Sequence, residues 1–102
     1  MSFFIKTENF KDDILLLDTN QRRECIRAHI VWVKNLIETG HKIASGYLVD
    51  SKKQPGGGGL LILEAESLNS AITLVKEDPM IISGMVDWHI QEWVPVIGEL
   101  LN

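Results

Sequence analysis

The chain has 102 residues, of which 24% are charged and 45% hydrophobic, and its formal net charge is −4. Two domains would each be too small to bury a proper core, so we expect a single folded domain, and the apolar content argues against intrinsic disorder. The acidic balance, with no basic run longer than a pair, lacks the positive footprint that nucleic-acid binding requires.

Neither membrane insertion nor secretion is expected. The longest apolar runs, residues 14–17 and 60–63, are far too short to span a bilayer. Lys6 interrupts the segment where a signal peptide would need its apolar stretch. The single cysteine, Cys25, offers no internal disulfide, so no oxidising compartment is needed. We therefore expect a cytoplasmic protein.

The first half of the chain predicts a strand followed by one long helix. Residues 3–7 are aromatic and β-branched, as in a strand, and residues 10–17 are expected to be a connection whose leucines fold back onto the core. Asp18 is a good N-cap, and Gly40 supplies the left-handed residue that ends a helix. The residues at helical spacing that we expect on its buried face are Ile26, Ile30, Val33 and Ile37.

The next segment predicts a hairpin and a second helix. Residues 43–49 alternate as a strand does, and residues 60–65 form the returning strand. Between them, residues 51–59 contain four consecutive glycines and predict a mobile connection. Ser67 caps the second helix, which must end before Pro79. Its expected buried residues are Leu68, Ala71, Ile72 and Val75.

A last strand follows Gly84, and its two faces differ. Val86, Trp88 and Ile90 form an apolar face, whereas the other face carries Asp87, His89 and Gln91. Residues 95–102 form a short extension in which Ile97, Leu100 and Leu101 stand at helical spacing.

The element order β, α, β, β, α, β predicts an α+β fold of the ferredoxin-like split βαβ type, with both helices on one face of a four-stranded antiparallel sheet. The opposite face would then be bare. Leu61, Leu63 and Trp93 suggest that it is partly apolar. Because soluble monomers rarely expose large apolar patches, we predict a homodimer that packs through this open face of the sheet.

Several short segments along the chain resemble a known family. They are residues 27–32 (RAHIVW), 38–46 (ETGHKIASG), the glycine-rich hairpin, 64–68 (EAESL), and 77–79 (EDP) followed by Gly84. In these segments the chain resembles the YCII-related (YciI-like) proteins, whose fold is the dimeric α+β barrel. The resemblance covers nearly the whole chain as one domain, residues 1–102, with the extension at 95–102. Tyr47 stands where the family usually has a proline after its glycine.

The resemblance implies a site that contains a helix histidine paired with an aspartate. The histidine is His29; its preferred partner is Asp78, and Asp50 is the alternative. The implied pocket is a cleft between helix and sheet, in which we expect Ser45 and Tyr47 to bind the ligand. Characterised relatives act on substituted quinol-type aromatics, and for this chain no cofactor is implied. Similar barrels also host isomerases and oxygenases, so the fold does not fix the reaction.

The residues themselves are compatible with acid–base chemistry. His29 follows Ile26 by three and precedes Val33 by four, so it projects beside the expected buried stripe. An imidazole next to a carboxylate can act as a general base or acid near neutral pH. A core-edge histidine bonded to backbone is the alternative. For Asp78, the alternative is a carboxylate that accepts backbone N–H groups in the turn at Pro79.

Other polar residues support narrower hypotheses. His89 would line the enclosed barrel of a dimer, or lie on a solvated strand face. Cys25 and His29 stand four apart, but no further pair completes a zinc site, so no metal is expected. The glycine run lacks the spacing of phosphate-binding loops, so nucleotide binding is not supported, and it is either a lid over the cleft or an inert turn.

Two functions remain open. The first is a cofactor-independent enzyme of lyase, isomerase or hydrolase type, acting on a small aromatic or carboxylated metabolite through His29 and an aspartate. The second is a non-catalytic, homodimeric ligand-binding or regulatory module. The resemblance favours the enzyme.

Overall fold

Four strands and four helices occur in residues 1–99, the part of the chain that the computed structural model describes. In chain order they are β1 (Ser2–Phe10), α1 (Asp12–Leu15), α2 (Thr19–Glu38), β2 (Ile43–Val49), β3 (Pro55–Ala65), α3 (Leu68–Val75), α4 (Pro79–Ile82) and β4 (Val86–Trp93). The sheet order is β2-β3-β1-β4, and every neighbouring pair is antiparallel. The predicted α+β split βαβ fold is confirmed.

Local capping signals set the ends of the two long helices. The Asp18 carboxylate accepts the Asn20 N–H at 2.9 Å, and the Ser67 hydroxyl accepts the Ser70 N–H at 3.1 Å. Gly40 follows the end of α2 with φ of 97°, a backbone conformation that L side chains rarely adopt. These helices begin and end as predicted, because caps depend on neighbouring residues only. None of the helices within residues 1–99 is long and apolar enough to cross a membrane.

The core lies between the sheet and the pair α2 and α3. Residues directly opposite in an antiparallel ladder point to the same face, and Phe4 stands opposite Leu63. The buried cluster that joins the sheet to both helices is Phe4, Val33, Leu61, Leu63, Ala71 and Val75. Leu61 and Leu63 therefore lie under the helices, and the prediction that they form the open face is wrong. Trp93 does lie on the open face, 6.1 Å from Phe3 between ring centroids.

The buried face of α2 is rotated from the predicted one. Its buried residues are Cys25, His29 and Val33, whereas Ile26, Ile30 and Ile37 are 39%, 45% and 52% exposed. The reason is tertiary: Cys25 packs with Met80 and Val86, so α2 turns toward α4 as well as toward the sheet. A similar correction applies to residues 15–17, whose leucines are exposed rather than folded onto the core.

The glycine run is part of a strand, not a mobile connection. Strand β3 begins at Pro55, and Gly59 pairs with both Tyr47 and Glu8. The connection is reduced to residues 50–54. Beyond β4, residues 94–99 form no helix, and Leu100 and Leu101, which we expected to continue a helical spacing, lie outside the described residues.

Gly58 is the glycine whose replacement is most costly. Its φ is 89°, and a Cβ there would stand 2.4 Å from the Glu8 carbonyl oxygen. Gly46 has nothing within 4 Å of the same position. We expect Gly58→Ala to lower the free energy of unfolding by about 2 kcal/mol or more, and Gly46→Ala by less than about 1 kcal/mol. Chemical denaturation measures both, and equal losses would contradict this account of the β1–β3 contact.

Candidate functional site

Strand β1 carries two charged residues into the protein interior. Its side chains alternate, so Phe4, Lys6 and Glu8 all point toward the helices. Lys6 is fully buried, and Glu8 is 8% exposed. The Lys6 ammonium donates to Glu8 Oε1 at 2.6 Å and to Asp78 Oδ2 at 2.6 Å. A buried lysine thus bridges two carboxylates.

Asp78 is held at the start of α4 and faces this lysine. It is fully buried, and its Oδ1 accepts the Met80 N–H at 2.9 Å as the N-cap of the helix. The same oxygen stands 2.8 Å from His29 Nδ1. The two interpretations from sequence, a turn-forming carboxylate and a histidine partner, therefore describe one side chain that makes both contacts.

The environment of Asp78 favours its ionised form. Burial raises the pKa of Asp78, but the hydrogen bond from His29, the hydrogen bond and charge of Lys6, and the Met80 N–H together hold that pKa below its ordinary value of 3.8. Because the carboxylate is ionised, the proton between it and His29 belongs to Nδ1. The neutral imidazole is therefore the Nδ1–H tautomer, and its Nε2 carries a lone pair.

His29 presents that lone pair to Ser45. The distance from His29 Nε2 to Ser45 Oγ is 2.7 Å, and since Nε2 is the acceptor, the Ser45 hydroxyl donates. His29 is 9% exposed, whereas Ser45 is an exposed residue of the edge strand β2. The series from Asp78 through His29 to Ser45 therefore runs from the interior of the protein to its surface.

Glu8 leaves one oxygen without a partner. Its Oε2 is buried and accepts no hydrogen bond from any group within residues 1–99. Gly59 stands opposite Glu8 in the ladder, and a Cβ there would lie 3.2 Å from Glu8 Cγ, so the glycine leaves room for the carboxylate. With His29 neutral, Lys6, Glu8 and Asp78 together carry one net negative charge. The cluster thus favours a donor group near Glu8 over a further anion.

The other predicted site residues lie in three different places. Tyr47 follows Ser45 by two on β2, so it points to the same face, and it is 70% exposed. Asp50 is not beside His29: its Oδ1 accepts the N–H groups of Lys52 and Gln54 at 2.8 and 3.0 Å and fixes the hairpin turn. His89 lies on the opposite face of the sheet, 3.1 Å from Gln91 Oε1.

The sequence analysis does not assign Lys6 and Glu8 to the site. The signal was present, because alternation from the apolar Phe4 places both on the inward face if the strand continues beyond residue 7. The strand was expected to end at residue 7, and it continues to Phe10. With the strand ending at residue 7, Glu8 belongs to its polar end, and Lys6 is a strand residue without a role in the site.

Two depressions on the surface of the described residues lie away from the site. They are lined partly by Met1, His41 and Glu64, and neither is lined by His29, Asp78 or Ser45. No group of three or more histidine, cysteine, aspartate or glutamate side chains among residues 1–99 is arranged to hold a metal. Cys25 instead lies with its Sγ 3.5 Å from the Pro79 carbonyl oxygen.

Comparison with known families decides where the chain belongs. The sequence profile of the YCII-related domain matches residues 1–94. The chain belongs to the YCII-related family. The resemblance noted in the sequence is therefore confirmed, and the YCII-related fold is the one described above. No functionally curated protein matches this sequence at a significant level.

Solved structures give the same fold. One is 5-chloro-2-hydroxyhydroquinone dehydrochlorinase from Burkholderia phenoliruptrix AC1100, in complex with 2,5-dihydroxybenzoquinone. It has a TM-score of 0.69 and 20% identity, covering 90% of this chain and 93% of that one. Another is the Arabidopsis thaliana protein At3g17210, with a TM-score of 0.51 and 20% identity, covering 98% and 100% of the two chains. At these identities the likeness concerns the fold alone.

Because Asp78 is ionised in the folded protein, the free energy of unfolding should decrease as the pH is lowered into the acid range. The pKa of Asp78 is lower in the folded than in the unfolded chain, so its stabilising contribution is complete above the unfolded value near 3.8 and is lost as pH falls through the folded value. We expect Asp78→Asn to lose about 3 kcal/mol at pH 7, since Lys6 then loses one of its two buried partners, and to flatten this acid dependence. Urea unfolding between pH 2.5 and 7 measures both effects.

Asp50→Asn is the matched control, because it changes an exposed aspartate that forms only a turn. It should lose less than about 1 kcal/mol and keep the acid dependence of the parent. An Asp78→Asn variant with the parent's acid profile would contradict the assignment of this carboxylate as ionised and buried.

Proposed function

We propose that this YCII-related protein is a cofactor-independent small-molecule enzyme in which His29 transfers a proton and Asp78 orients the imidazole. The observation that carries the proposal is the 2.8 Å contact between His29 Nδ1 and a fully buried Asp78. It leaves Nε2 as a proton acceptor directed at the exposed Ser45. A histidine that only filled the core would have no need of an ionised partner.

The proposed mechanism begins with His29 neutral. Nε2 takes a proton from a hydroxyl or an acidic carbon of the ligand, and the imidazolium that forms is stabilised by Asp78 at its other nitrogen. The same proton then returns to the product or to its leaving group. Proton transfer of this kind accelerates a reaction about 10²- to 10⁴-fold, so positioning by residues such as Ser45 and Tyr47 must supply the remainder.

Lys6 supports this chemistry as a positioning residue. Its ammonium lies 2.6 Å from Asp78 Oδ2, on the carboxylate oxygen that does not contact His29. The charge keeps Asp78 ionised while Oδ1 remains directed at the imidazole. Because Lys6 is fully buried, solvent does not screen this effect as it does for surface pairs.

A small hydroxylated aromatic is the ligand class that we favour. The Burkholderia protein of similar fold is a 5-chloro-2-hydroxyhydroquinone dehydrochlorinase, and its structure holds 2,5-dihydroxybenzoquinone. Such a ligand carries acidic hydroxyl groups that can give a proton to His29 Nε2. The positive charge of Lys6 is shielded by two carboxylates, so a carboxylated metabolite is the less favoured variant of the same proposal.

We further propose that the chain, as one domain with an extension at residues 95–102, forms a homodimer through the open face of the sheet. The apolar side chains that the strand register places on that face are Phe3, Ile5, Leu60, Ile62 and Trp93. Their burial against a second copy would remove a contiguous apolar surface from water. His89 would then line the enclosed barrel, away from His29.

A ligand-binding module without catalysis is the second candidate. It is favoured by the limited exposure of His29, whose side chain is nearly enclosed at 9%. In that case Ser45 and Tyr47 would bind a ligand while the imidazole stayed in its internal contacts.

Replacement of His29 distinguishes the two candidates. We expect chloride release from 5-chloro-2-hydroxyhydroquinone, or turnover of a related substituted hydroquinone, to fall by about 10²- to 10⁴-fold in His29→Gln. Steady-state kinetics measures the loss, and His41→Gln is the control because His41 lies outside the site. If hydroquinones raise the melting temperature but leave the ¹⁵N signals of His29 unchanged, the catalytic proposal is wrong and the binding module remains.

The dimer is tested by its mass in solution. Light scattering at micromolar concentration should give the mass of two chains, and Ile62→Lys, on the open face, should give one chain with the fold retained. Leu16→Lys changes an apolar residue that is 87% exposed and off the sheet, so it should remain dimeric. A single-chain mass for the unmodified protein would exclude the dimer.

A further inference from the structure

We propose that Ser45 is an activated nucleophile, which gives this protein a second activity, the hydrolysis of small activated esters. Ser45 Oγ lies 2.7 Å from His29 Nε2, and His29 Nδ1 lies 2.8 Å from Asp78 Oδ1. This activity goes beyond the proposed proton transfer, because it passes through a covalent acyl–enzyme intermediate. It uses the same His29–Asp78 pair as its base.

The three side chains satisfy the geometric requirements for a nucleophile, a base and a group that orients the base. Both distances fall within the hydrogen-bond range expected of such a set. Asp78 is itself fixed by Lys6 and by the Met80 N–H, so the imidazole is held in the tautomer that accepts the serine proton. Nucleophile, base and carboxylate occur on different folds in different chain orders, so geometry and not sequence order identifies them.

The exposure of the three side chains increases from the carboxylate to the hydroxyl, as this chemistry requires. Asp78 is fully buried, His29 is 9% exposed, and Ser45 lies among the exposed residues of β2. The carboxylate is thus kept from solvent while the hydroxyl is open to a ligand. A serine that served only to satisfy His29 would not need to lie at the surface.

The edge of the sheet supplies backbone donors beside Ser45. The Glu64 N–H donates to the Lys42 carbonyl at 2.9 Å, and hydrogen-bonded pairs alternate along an antiparallel ladder. Ser45 pairs with Leu61 at a non-hydrogen-bonded position of this series. Because β2 is an edge strand, the Ser45 N–H is directed away from β3, where it can stabilise an oxyanion formed at the serine.

The reaction balances with an ester and water as its reactants. Ser45 Oγ bonds to the carbonyl carbon of the ester while its proton passes to His29 Nε2. The bond from that carbon to the alcohol oxygen breaks, and the alcohol leaves with the proton. Water then attacks the acyl group with His29 as base, and Ser45 recovers its proton as the acid is released.

A fluorophosphonate probe tests the nucleophile directly. Ser45 Oγ would bond to phosphorus, fluoride would leave, and the serine proton would pass through His29 to solvent. We expect one adduct per chain, placed on Ser45 by peptide mass spectrometry. Ser45→Ala should give none, and His29→Gln should slow labelling by about 100-fold or more. Ser51→Ala, in the exposed hairpin turn, is the matched control and should label as the parent does.

Three results would overturn the proposal. They are the lack of an adduct on the folded parent protein, an adduct on another residue, and a rate of Ser45 labelling that His29→Gln leaves unchanged. If circular dichroism shows that His29→Gln is unfolded, the parent provides the test through its pH dependence. Its labelling rate should follow the fraction of neutral His29 measured by NMR, and a rate independent of that fraction would also overturn it.

The same experiments separate this inference from the proposed function. If hydroquinones perturb His29 and are turned over while Ser45 stays unlabelled, only the nucleophile is refuted. If Ser45 is labelled and hydroquinones neither bind nor react, the ester activity stands and the proposed proton transfer fails.

Discussion

The buried ion pair between Lys6 and Asp78 is the interaction on which the site depends. Its two atoms lie 2.6 Å apart, both side chains are fully buried, and the residues are 72 positions apart in the chain. It connects the central strand β1 to the start of α4. Since Asp78 also caps α4 and contacts His29, this one pair sets the position of a helix and the direction of an imidazole.

Such a pair is more important for geometry than for net stability. Removing two charges from water costs several kcal/mol, and their attraction about offsets that cost. Losing one partner is different, because the other charge is then buried alone. The free-energy cost of losing Lys6 would be greater still, since Lys6 separates the carboxylates of Asp78 and Glu8, which would repel each other without it. The main effect of the cluster is therefore to position Asp78 and, through it, His29.

The cluster is arranged so that both of the reactions proposed for His29 use the same imidazole nitrogen. Asp78 and Lys6 lie on the interior side of His29 and determine which nitrogen carries the proton. Ser45 lies on the outer side, where a ligand can replace the hydroxyl or react with it. Proton transfer to a ligand and activation of the serine differ only in what gives its proton to Nε2.

The sequence by itself determined the order of the four strands and the two longer helices, the helix caps at Asp18 and Ser67, and the glycine that ends α2, but not the short helices α1 and α4. The caps and the glycine depend on residues within a few positions. The sequence also placed His29 on an inward face and indicated Asp78 as a candidate, with the help of family resemblance. It did not exclude Asp50, and it gave no role to Lys6 or Glu8.

Only the tertiary structure decided those questions. His29 and Asp78 are 49 positions apart, and their contact forms because α2 packs on α4 as well as on the sheet. The same packing rotates the buried face of α2 from the isoleucines to Cys25 and His29. Strand length and register then bring Lys6 beneath Asp78. These placements follow from how whole elements pack together, which local periodicity does not encode.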